Sequence, residues 1–185
     1  VLCDSKNKPE LKCNLVQLYH NADIKEMYGT TYGYFSSISP TMVSHLEDII
    51  KFTKRHVNLN AGDAVLDIGC NDGTLLNKYG FEKKLKRYGV DPSSEKFLHM
   101  FQNDIKVLTD FFSYKKVNEF SEGKKFKVIS SIAMFYDIDD PVEFAKSIEL
   151  LLDDEGFWII EIAYLPLMMK NLAYDQIMHE HLTYL

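Results

Sequence analysis

The chain has 185 residues, which is the size of one globular domain. Hydrophobic residues make up 46% and charged residues 26%, proportions that exclude a disordered or fibrous protein. With 21 Lys and Arg against 27 Asp and Glu, the net charge of −6 lacks the basic surplus of proteins that bind a nucleic-acid backbone.

Membrane and secretion signals are missing from the sequence as well. The longest apolar stretch, residues 157–169, is broken by Glu161 and Pro166 and is shorter than the roughly 20 residues that cross a bilayer. The first residues lack the basic and apolar parts of a signal peptide. The cysteines are odd in number and scattered, so they form no disulfide framework: Cys3, Cys13 and Cys70. We therefore expect a cytoplasmic protein that binds neither membranes nor nucleic acids.

The first part of the chain, residues 1–58, holds no β-branched run long enough for a central strand. An aromatic, glycine-containing segment spans residues 27–35. After Ser39 and Pro40, apolar residues recur at three- and four-residue intervals up to Thr53, the period of one buried helical face. We interpret residues 1–58 as a helical N-terminal extension whose aromatic segment lies on the substrate side.

From residue 59 onward, strands and helices alternate. Short apolar runs predict five strands, at 64–68, 87–91, 105–108, 126–132 and 157–162. Helices are predicted after Gly73, from Ser93, and from Pro141 to Gly156. This alternation predicts an α/β fold with a doubly wound, mainly parallel sheet over residues 59–185. Ligands bind such sheets at the carboxyl ends of the strands.

The end of the first of these strands reads VLDIGCNDG, residues 65–73. Gly69 and Gly73 allow a tight turn and a close backbone approach to a ligand. The dinucleotide fingerprint fails because position 71 is Asn, which disfavours an NAD-dependent oxidoreductase. Asp67 and Asp72 would repel a pyrophosphate but attract a cation. S-adenosylmethionine fits this loop, since it carries an ammonium and a sulfonium and no phosphate.

The next strand ends supply further groups for a nucleoside. Asp91 closes the second strand, where a carboxylate can accept both ribose hydroxyls. Asp110 and Phe111 follow the third strand and suit an adenine amino group and ring. Ala133 and Met134 follow the fourth and could close the pocket. The predicted cofactor-binding residues are Asp67, Gly69, Cys70, Asn71, Asp72, Gly73, Asp91, Pro92, Asp110, Phe111, Ala133 and Met134.

Two stretches, VLDIGCNDGTLL and YGVDPS, resemble motif I and the acidic loop of class I S-adenosylmethionine-dependent methyltransferases. A closer resemblance, to the sugar C-methyltransferase family, rests on residues 15–18, the Tyr-Gly repeats of 28–34, Met42 with His45 and Leu46, and the run DQIMHEHL at 175–182. It implies a Rossmann-like fold, S-adenosyl-L-methionine as methyl donor and S-adenosyl-L-homocysteine as product. The implied acceptor is a small molecule, a nucleotide-linked ketodeoxysugar methylated at the carbon next to the ketone.

Carbon methylation beside a ketone needs a base to remove a proton and donors to stabilise the enolate. By the same resemblance, His181 is the base and Glu180 orients or polarises it. The hydroxyl donors would be Tyr32, Tyr34 and Tyr136, and His179 is a further candidate.

The first departure from the family concerns the reaction. The family has Tyr directly before His-Glu-His, whereas this chain has Met178, whose thioether donates no hydrogen bond. Methylation of a hydroxyl group, by an O-methyltransferase acting on a sugar or another polar small molecule, therefore stays an alternative.

The other departures concern the two ends of the chain. The family begins with a zinc module, but Cys3 and Cys13 alone do not fill a tetrahedral zinc site, so we expect no metal. The chain stops at Leu185, before the last strands of the family, so we expect it to be truncated at the C-terminus. A cofactor-binding but inactive fragment or scaffold is the corresponding alternative.

Overall fold

Seven strands and six α-helices make up the structure, a computed structural model that describes residues 15–20, 23–29, 32–80 and 84–185. The strands are β1 (Val16–Gln17), β2 (Ala64–Ile68), β3 (Lys86–Val90), β4 (Ile105–Leu108), β5 (Phe126–Ile132), β6 (Leu152–Glu161) and β7 (Thr183–Tyr184). The helices are α1 (Ile24–Met27), α2 (Pro40–His56), α3 (Thr74–Lys78), α4 (Tyr114–Phe120), α5 (Pro141–Leu151) and α6 (Leu165–Asn171). Short 3₁₀ segments cover Ser36–Ile38, Pro92–Met100, Phe135–Asp137 and Tyr174–Gln176.

The central sheet is parallel throughout, with strand order β4-β3-β2-β5-β6. The chain starts at β2, moves outward to β4, and then returns to the other side of β2 to form β5 and β6. The prediction of a doubly wound parallel sheet is confirmed. Because the winding direction reverses between β2 and β5, the crevice at the carboxyl ends of these two strands is the expected ligand site.

Helices cover both faces of the sheet, which explains the apolar run in β2. All five residues of β2 are buried. Val65 packs into the layer that holds Leu46 and Ile50 of α2, and Leu66 packs into the opposite layer with Phe144 of α5. Successive strand residues point to opposite faces, so one strand contributes to both halves of the core.

The N-terminal extension is only partly helical in the portion that the structure describes. Helix α2 is present as predicted, with Pro40 in its first turn and the Ser39 hydroxyl accepting a hydrogen bond from the Met42 amide at 3.3 Å. Strand β1 pairs antiparallel with β7, so Val16 lies opposite Tyr184. The division at residues 58 and 59 stays a prediction.

Two predicted helices differ from the prediction, one in its type and one in its end. The segment after Asp91 is a 3₁₀ helix, in which the Ser94 amide donates to the Asp91 carbonyl oxygen at 3.2 Å. Helix α5 ends at Leu151 rather than at Gly156, because Leu152 is already extended and starts β6. Gly156 lies inside β6, where a Cβ atom would be 2.9 Å from the Phe126 carbonyl oxygen. No α-helix within the described ranges is long and apolar enough to span a membrane.

Candidate active site

A cavity of about 820 Å³ opens where the loops after β2, β3, β4 and β5 meet. A cavity of this size can hold a nucleoside together with a small acceptor. Its lining combines those loops with the N-terminal aromatic segment and with Glu180 and His181 near the C-terminus. The predicted cofactor side and the predicted catalytic side therefore face one cavity.

Gly69 shapes the wall of the cavity directly after β2. Its φ of +77° is a left-handed conformation, and a Cβ atom would lie 3.1 Å from Cγ of Met134. The Gly69 amide donates to the Val90 carbonyl oxygen at 2.9 Å, which ties the loop to the end of β3. The glycine keeps open the space into which a ligand would enter.

Asp67 places a carboxyl group at the buried end of the cavity. Only 3% of this residue is exposed, and one carboxyl oxygen accepts a hydrogen bond from the Ser130 hydroxyl at 2.6 Å. Burial raises the pKa of Asp67 to about 7. A cation bound beside Asp67 would favour its ionised form, so the group suits the ammonium of an amino-acid moiety.

Asp91 is oriented by the backbone on both sides of its carboxylate. One oxygen accepts from the Ser93 amide at 2.6 Å, and the other accepts from the Asn71 amide at 2.9 Å. Each carboxylate oxygen keeps a second acceptor position. Asp91 lines the cavity and can therefore still accept from two ribose hydroxyls.

Most of the other predicted cofactor residues also line the cavity: Cys70, Asn71, Pro92, Phe111, Ala133 and Met134. Asp72, Gly73 and Asp110 do not. The Asp72 carboxylate accepts from the Ser37 amide at 2.8 Å and from the Thr74 hydroxyl at 2.6 Å. The Asp72 carboxylate therefore stabilises the start of α3 at Thr74 and binds the N-terminal segment at Ser37.

Asp110 and Gly73 also lie outside the cavity lining because each contacts another part of the fold. Asp110 accepts from Lys116 at 2.6 Å and from the Phe111 amide at 2.7 Å, so its carboxylate faces α4. Gly73 caps α3 in a left-handed conformation and faces the Phe101 ring. The sequence pattern placed all three residues correctly beside strand ends but could not give the direction of their side chains.

Asn71 attaches the N-terminal aromatic segment to the loop between β2 and α3, which contains Gly69 and Gly73. Its side-chain oxygen accepts from the Ser36 amide at 3.0 Å, and its side-chain nitrogen donates to the Tyr34 carbonyl oxygen at 3.1 Å. These bonds hold the segment that contains Tyr32 and Tyr34, and both residues line the cavity. The role of this segment on the substrate side stays a prediction.

Of the predicted catalytic residues, five line the cavity and one does not. Tyr32, Tyr34, Tyr136, Glu180 and His181 belong to the lining. His179 lies outside it, with a side chain that is 77% exposed. Both histidines lie in a turn, in which the His181 amide donates to the Met178 carbonyl oxygen at 3.3 Å, and only His181 is buried.

His181 has the protonation state of a base. Its Nδ1 lies 3.0 Å from the Gln176 carbonyl oxygen, which can only accept a hydrogen bond, so Nδ1 carries the proton and Nε2 keeps its lone pair. Burial lowers the pKa of His181, which keeps the ring neutral near pH 7. The ring contacts that of Tyr136, with centroids 4.1 Å apart.

Comparison with known proteins gives the family. A family model described as a methyltransferase domain matches residues 42–185. The chain belongs to this methyltransferase domain family. The match confirms the expected class I methyltransferase, a class whose cofactor is S-adenosylmethionine.

The sequence identity to individual methyltransferases is low. The chain is 25% identical to the C-methyltransferase NovU of Streptomyces niveus, over 94% of this chain and 41% of NovU. It is 28% identical to a tRNA U34 carboxymethyltransferase of Campylobacter lari, over 64% of this chain and 42% of that protein. The chain thus spans less than half the length of these curated relatives.

Solved structures support the fold. The plantazolicin methyltransferase BpumL, in complex with a triazolic desmethylPZN analog and SAH, superposes with a TM-score of 0.57 at 18% identity. The match covers 78% of this chain and 56% of BpumL. A second BpumL complex with SAH gives a TM-score of 0.53 at 19% identity. Both confirm the Rossmann-like fold.

The residues of this methyltransferase cavity fit the cofactor of its class. Asp67 offers a buried acidic group for the ammonium, and Asp91 offers two acceptor positions for the ribose. The space above Gly69 would be reduced by any side chain at that position. In the part of the chain that the structure covers, no group of three or more metal-ligating side chains occurs, and Cys3 and Cys13 lie outside that part.

Sequence reasoning missed a pair of residues in this site. Asp137 is 8% exposed and lines the cavity, and one of its carboxyl oxygens accepts from the Tyr28 hydroxyl at 2.9 Å. Tyr28 belongs to the Tyr-Gly repeats, and Asp137 follows the fourth predicted strand end directly after Tyr136. A polar residue at a strand end was the available signal.

Proposed function

We propose that the protein transfers a methyl group from S-adenosylmethionine to a small acceptor, a ketodeoxysugar methylated at the carbon next to its ketone. The observation that carries this proposal is the neutral His181, which has a free lone pair on Nε2 and lines the same cavity as Asp67 and Asp91. The similarity to the C-methyltransferase NovU supports carbon as the methylated atom.

The residues of the chain provide the acid–base part of this reaction. Nε2 of His181 accepts the proton from the carbon beside the ketone, and the Gln176 carbonyl oxygen then stabilises the positive ring through Nδ1. Burial lowers the pKa of His181, and the negative charge of the neighbouring Glu180 opposes part of this lowering. When bound, the cofactor supplies an electrophilic methyl group on a sulfonium.

The charge of the cavity limits which part of the acceptor enters it. Seven Asp or Glu residues and one Lys are among the described residues of its lining. A phosphate would be repelled there. For a nucleotide-linked acceptor, we therefore infer that only the sugar lies in this cavity, and that its diphosphate lies outside. An RNA acceptor, as in the name of the Campylobacter relatives, fits this acidic lining poorly.

Methylation of a hydroxyl group is the second candidate, and Met178 favours it. Met178 lies outside the cavity lining, and its own backbone binds the Tyr184 hydroxyl, at 3.2 Å through the amide and at 3.3 Å through the carbonyl oxygen. A base at His181 would serve a hydroxyl acceptor as well, because that reaction needs no enolate.

The test is proton exchange followed by methylation. We expect the protein to exchange the C–H proton next to the ketone of a nucleotide-linked 4-ketodeoxysugar in D2O, and to form a new C–CH3 group when S-adenosylmethionine is added, both followed by NMR. His181→Ala should slow the exchange by about 10²- to 10⁴-fold.

His179→Ala is the matched control, because it removes an exposed histidine from the same segment. It should exchange as fast as the unaltered protein. A methyl signal on oxygen without C–H exchange would favour the second candidate. Tight binding of S-adenosylhomocysteine with no methylation of either kind would contradict both.

A further inference from the structure

Asp137 lines the active-site cavity and has one hydrogen-bonding atom that is unused. It lies in the 3₁₀ segment after β5, and its Oδ2 accepts from the Tyr28 hydroxyl at 2.9 Å. Its Oδ1 is buried and is without a hydrogen-bond partner among the residues that the structure describes. Buried polar atoms are nearly always paired, so an orphaned oxygen on a residue that lines a binding cavity points to a ligand.

The groups around Asp137 favour its neutral, protonated form. Tyr28 of α1 and Tyr32 face it from the N-terminal segment, and Glu180 faces it from the segment before β7. Tyr136 and Tyr184 are also close enough to interact electrostatically with Asp137, which adds to the effect of burial in raising their pKa values. Burial and the nearby Glu180 raise the pKa of Asp137 to about 8, although the Tyr28 bond acts in the opposite direction.

The position of the proton follows from the hydrogen bond with Tyr28. Burial raises the pKa of the Tyr28 phenol far above its ordinary value, so the phenol keeps its proton, and in the hydrogen bond of this pair Tyr28 donates to Oδ2. The oxygen that accepts from Tyr28 is then the carbonyl oxygen of the acid, and Oδ1 carries the proton. Asp137 therefore presents an unpaired O–H donor.

We propose that Asp137 donates this hydrogen bond to the ketone oxygen of the acceptor and stabilises the enolate. This inference rests on the proposed function and deepens it. Asp137 would then supply the hydrogen-bond donor that Met178 cannot provide and that was predicted to be one of the tyrosines.

The step balances without any further reactant. The C–H bond beside the ketone breaks, its proton goes to Nε2 of His181, and its electron pair forms the C=C bond of the enolate. The C=O π pair moves to oxygen, where the O–H group of Asp137 strengthens its hydrogen bond without giving up the proton. When the carbon forms its bond to the methyl group, the C=O bond forms again. A neutral donor suits a developing oxyanion, whereas a carboxylate would repel it.

Two substitutions test whether Asp137 acts as a hydrogen-bond donor or as a carboxylate. In Asp137→Asn, the amide oxygen can still accept from Tyr28, and the NH2 group can donate in place of Oδ1. Asp137→Ala removes both. In the D2O exchange assay with the nucleotide-linked 4-ketodeoxysugar, we expect Asp137→Asn to stay within about tenfold of the unaltered protein and Asp137→Ala to lose about 10²- to 10³-fold.

Asp154→Ala is the matched control, since it removes an exposed carboxylate that lies outside the cavity lining. It should exchange normally. Binding of S-adenosylhomocysteine, measured by calorimetry, should be unchanged in all three variants and so shows that they fold.

The protonation state gives a readout that does not depend on turnover. With 13C-labelled aspartate, the Asp137 carboxyl signal, assigned by its loss in Asp137→Asn, should be that of a neutral acid at pH 6. A signal that titrates near pH 4 would overturn the donor role and leave the proposed function standing. Exchange that needs His181 but tolerates Asp137→Ala would do the same. The absence of both exchange and methylation in the unaltered protein would overturn the proposed function and this inference together.

Discussion

At the scale of single residues, the candidate site contains two carboxyl groups that the fold shields from water. Asp67 and Asp137 both have raised pKa values, and in both cases burial is the main cause. Asp91, by contrast, accepts two backbone hydrogen bonds. One cavity thus contains acidic groups with different tasks, set by their surroundings rather than by residue type.

The pKa of Asp67 predicts how cofactor affinity depends on pH. A bound ammonium favours the ionised carboxylate, and the group is already half protonated near pH 7. Affinity for S-adenosylhomocysteine should therefore be higher at pH 8 than at pH 6, and it should fall by up to tenfold per unit as the pH drops below 7.

Calorimetric titration at several pH values measures this dependence. Asp67→Asn should bind more weakly at pH 8 and should lose the acid-side dependence. Equal affinity at pH 6 and pH 8 in the unaltered protein would mean that Asp67 does not interact with the ammonium.

At the scale of elements, the turn between β2 and α3 has to fit two neighbours at once. Gly69 faces Met134, and Gly73 faces Phe101, where a Cβ atom would lie 2.5 Å from the ring. Helix α3 is only five residues long, so its position is fixed by these contacts and by the Asp72 hydrogen bonds rather than by its own stability.

Gly73→Ala should therefore destabilise the protein beyond the usual effect of a left-handed conformation. Gly80 is the matched control, because its φ of +73° is close to the +77° of Gly73 but no atom of the described residues lies within 4 Å of its Cβ position. Both alanine variants carry the backbone strain, and only Gly73→Ala displaces a ring. We expect Gly73→Ala to be less stable than Gly80→Ala by about 1–3 kcal/mol in urea unfolding. Equal losses would show that Phe101 moves aside without cost.

At the scale of the whole molecule, the two ends of the described chain meet to complete the cavity. Strand β1 pairs with β7, and the Leu18 amide donates to the Leu182 carbonyl oxygen at 2.9 Å. The Thr183 hydroxyl donates to the Tyr136 carbonyl oxygen at 3.3 Å. His181 is thus held by a long-range pairing, whereas the residues for the cofactor are held by the central sheet.

This separation predicts that catalysis can be lost without loss of cofactor binding. Leu18→Pro removes the amide that bonds to Leu182, and it should slow His181-dependent exchange by about tenfold or more because the base is misplaced. Affinity for S-adenosylhomocysteine should change less than about twofold. Leu18→Ala keeps the amide and serves as the control for the lost side chain. A parallel loss of binding and exchange would contradict this division of the molecule.

Much of the fold and of the cofactor side could be predicted from local sequence. The strand ending at Ile68, the glycines that follow it, and Asp91 after the next strand are separated by short, regular stretches, so their placement follows from strand and helix periods. The end of α5 was misplaced, because Asp153 to Gly156 carries no strand pattern, whereas Leu152 already lies opposite Phe126 of β5 and so begins the strand.

The sequence by itself determined the parallel sheet, the carboxyl ends at which a ligand binds, and the residues that surround it, because hydrophobic period and turn chemistry act over a few neighbouring residues. The tertiary structure alone decided which side chains face the cavity. It turned Asp72 and Asp110 toward partners of their own, selected His181 over His179, and joined Tyr28 to Asp137, which is 109 positions away. Such choices depend on burial and on hydrogen bonds between distant segments, and no local pattern encodes them.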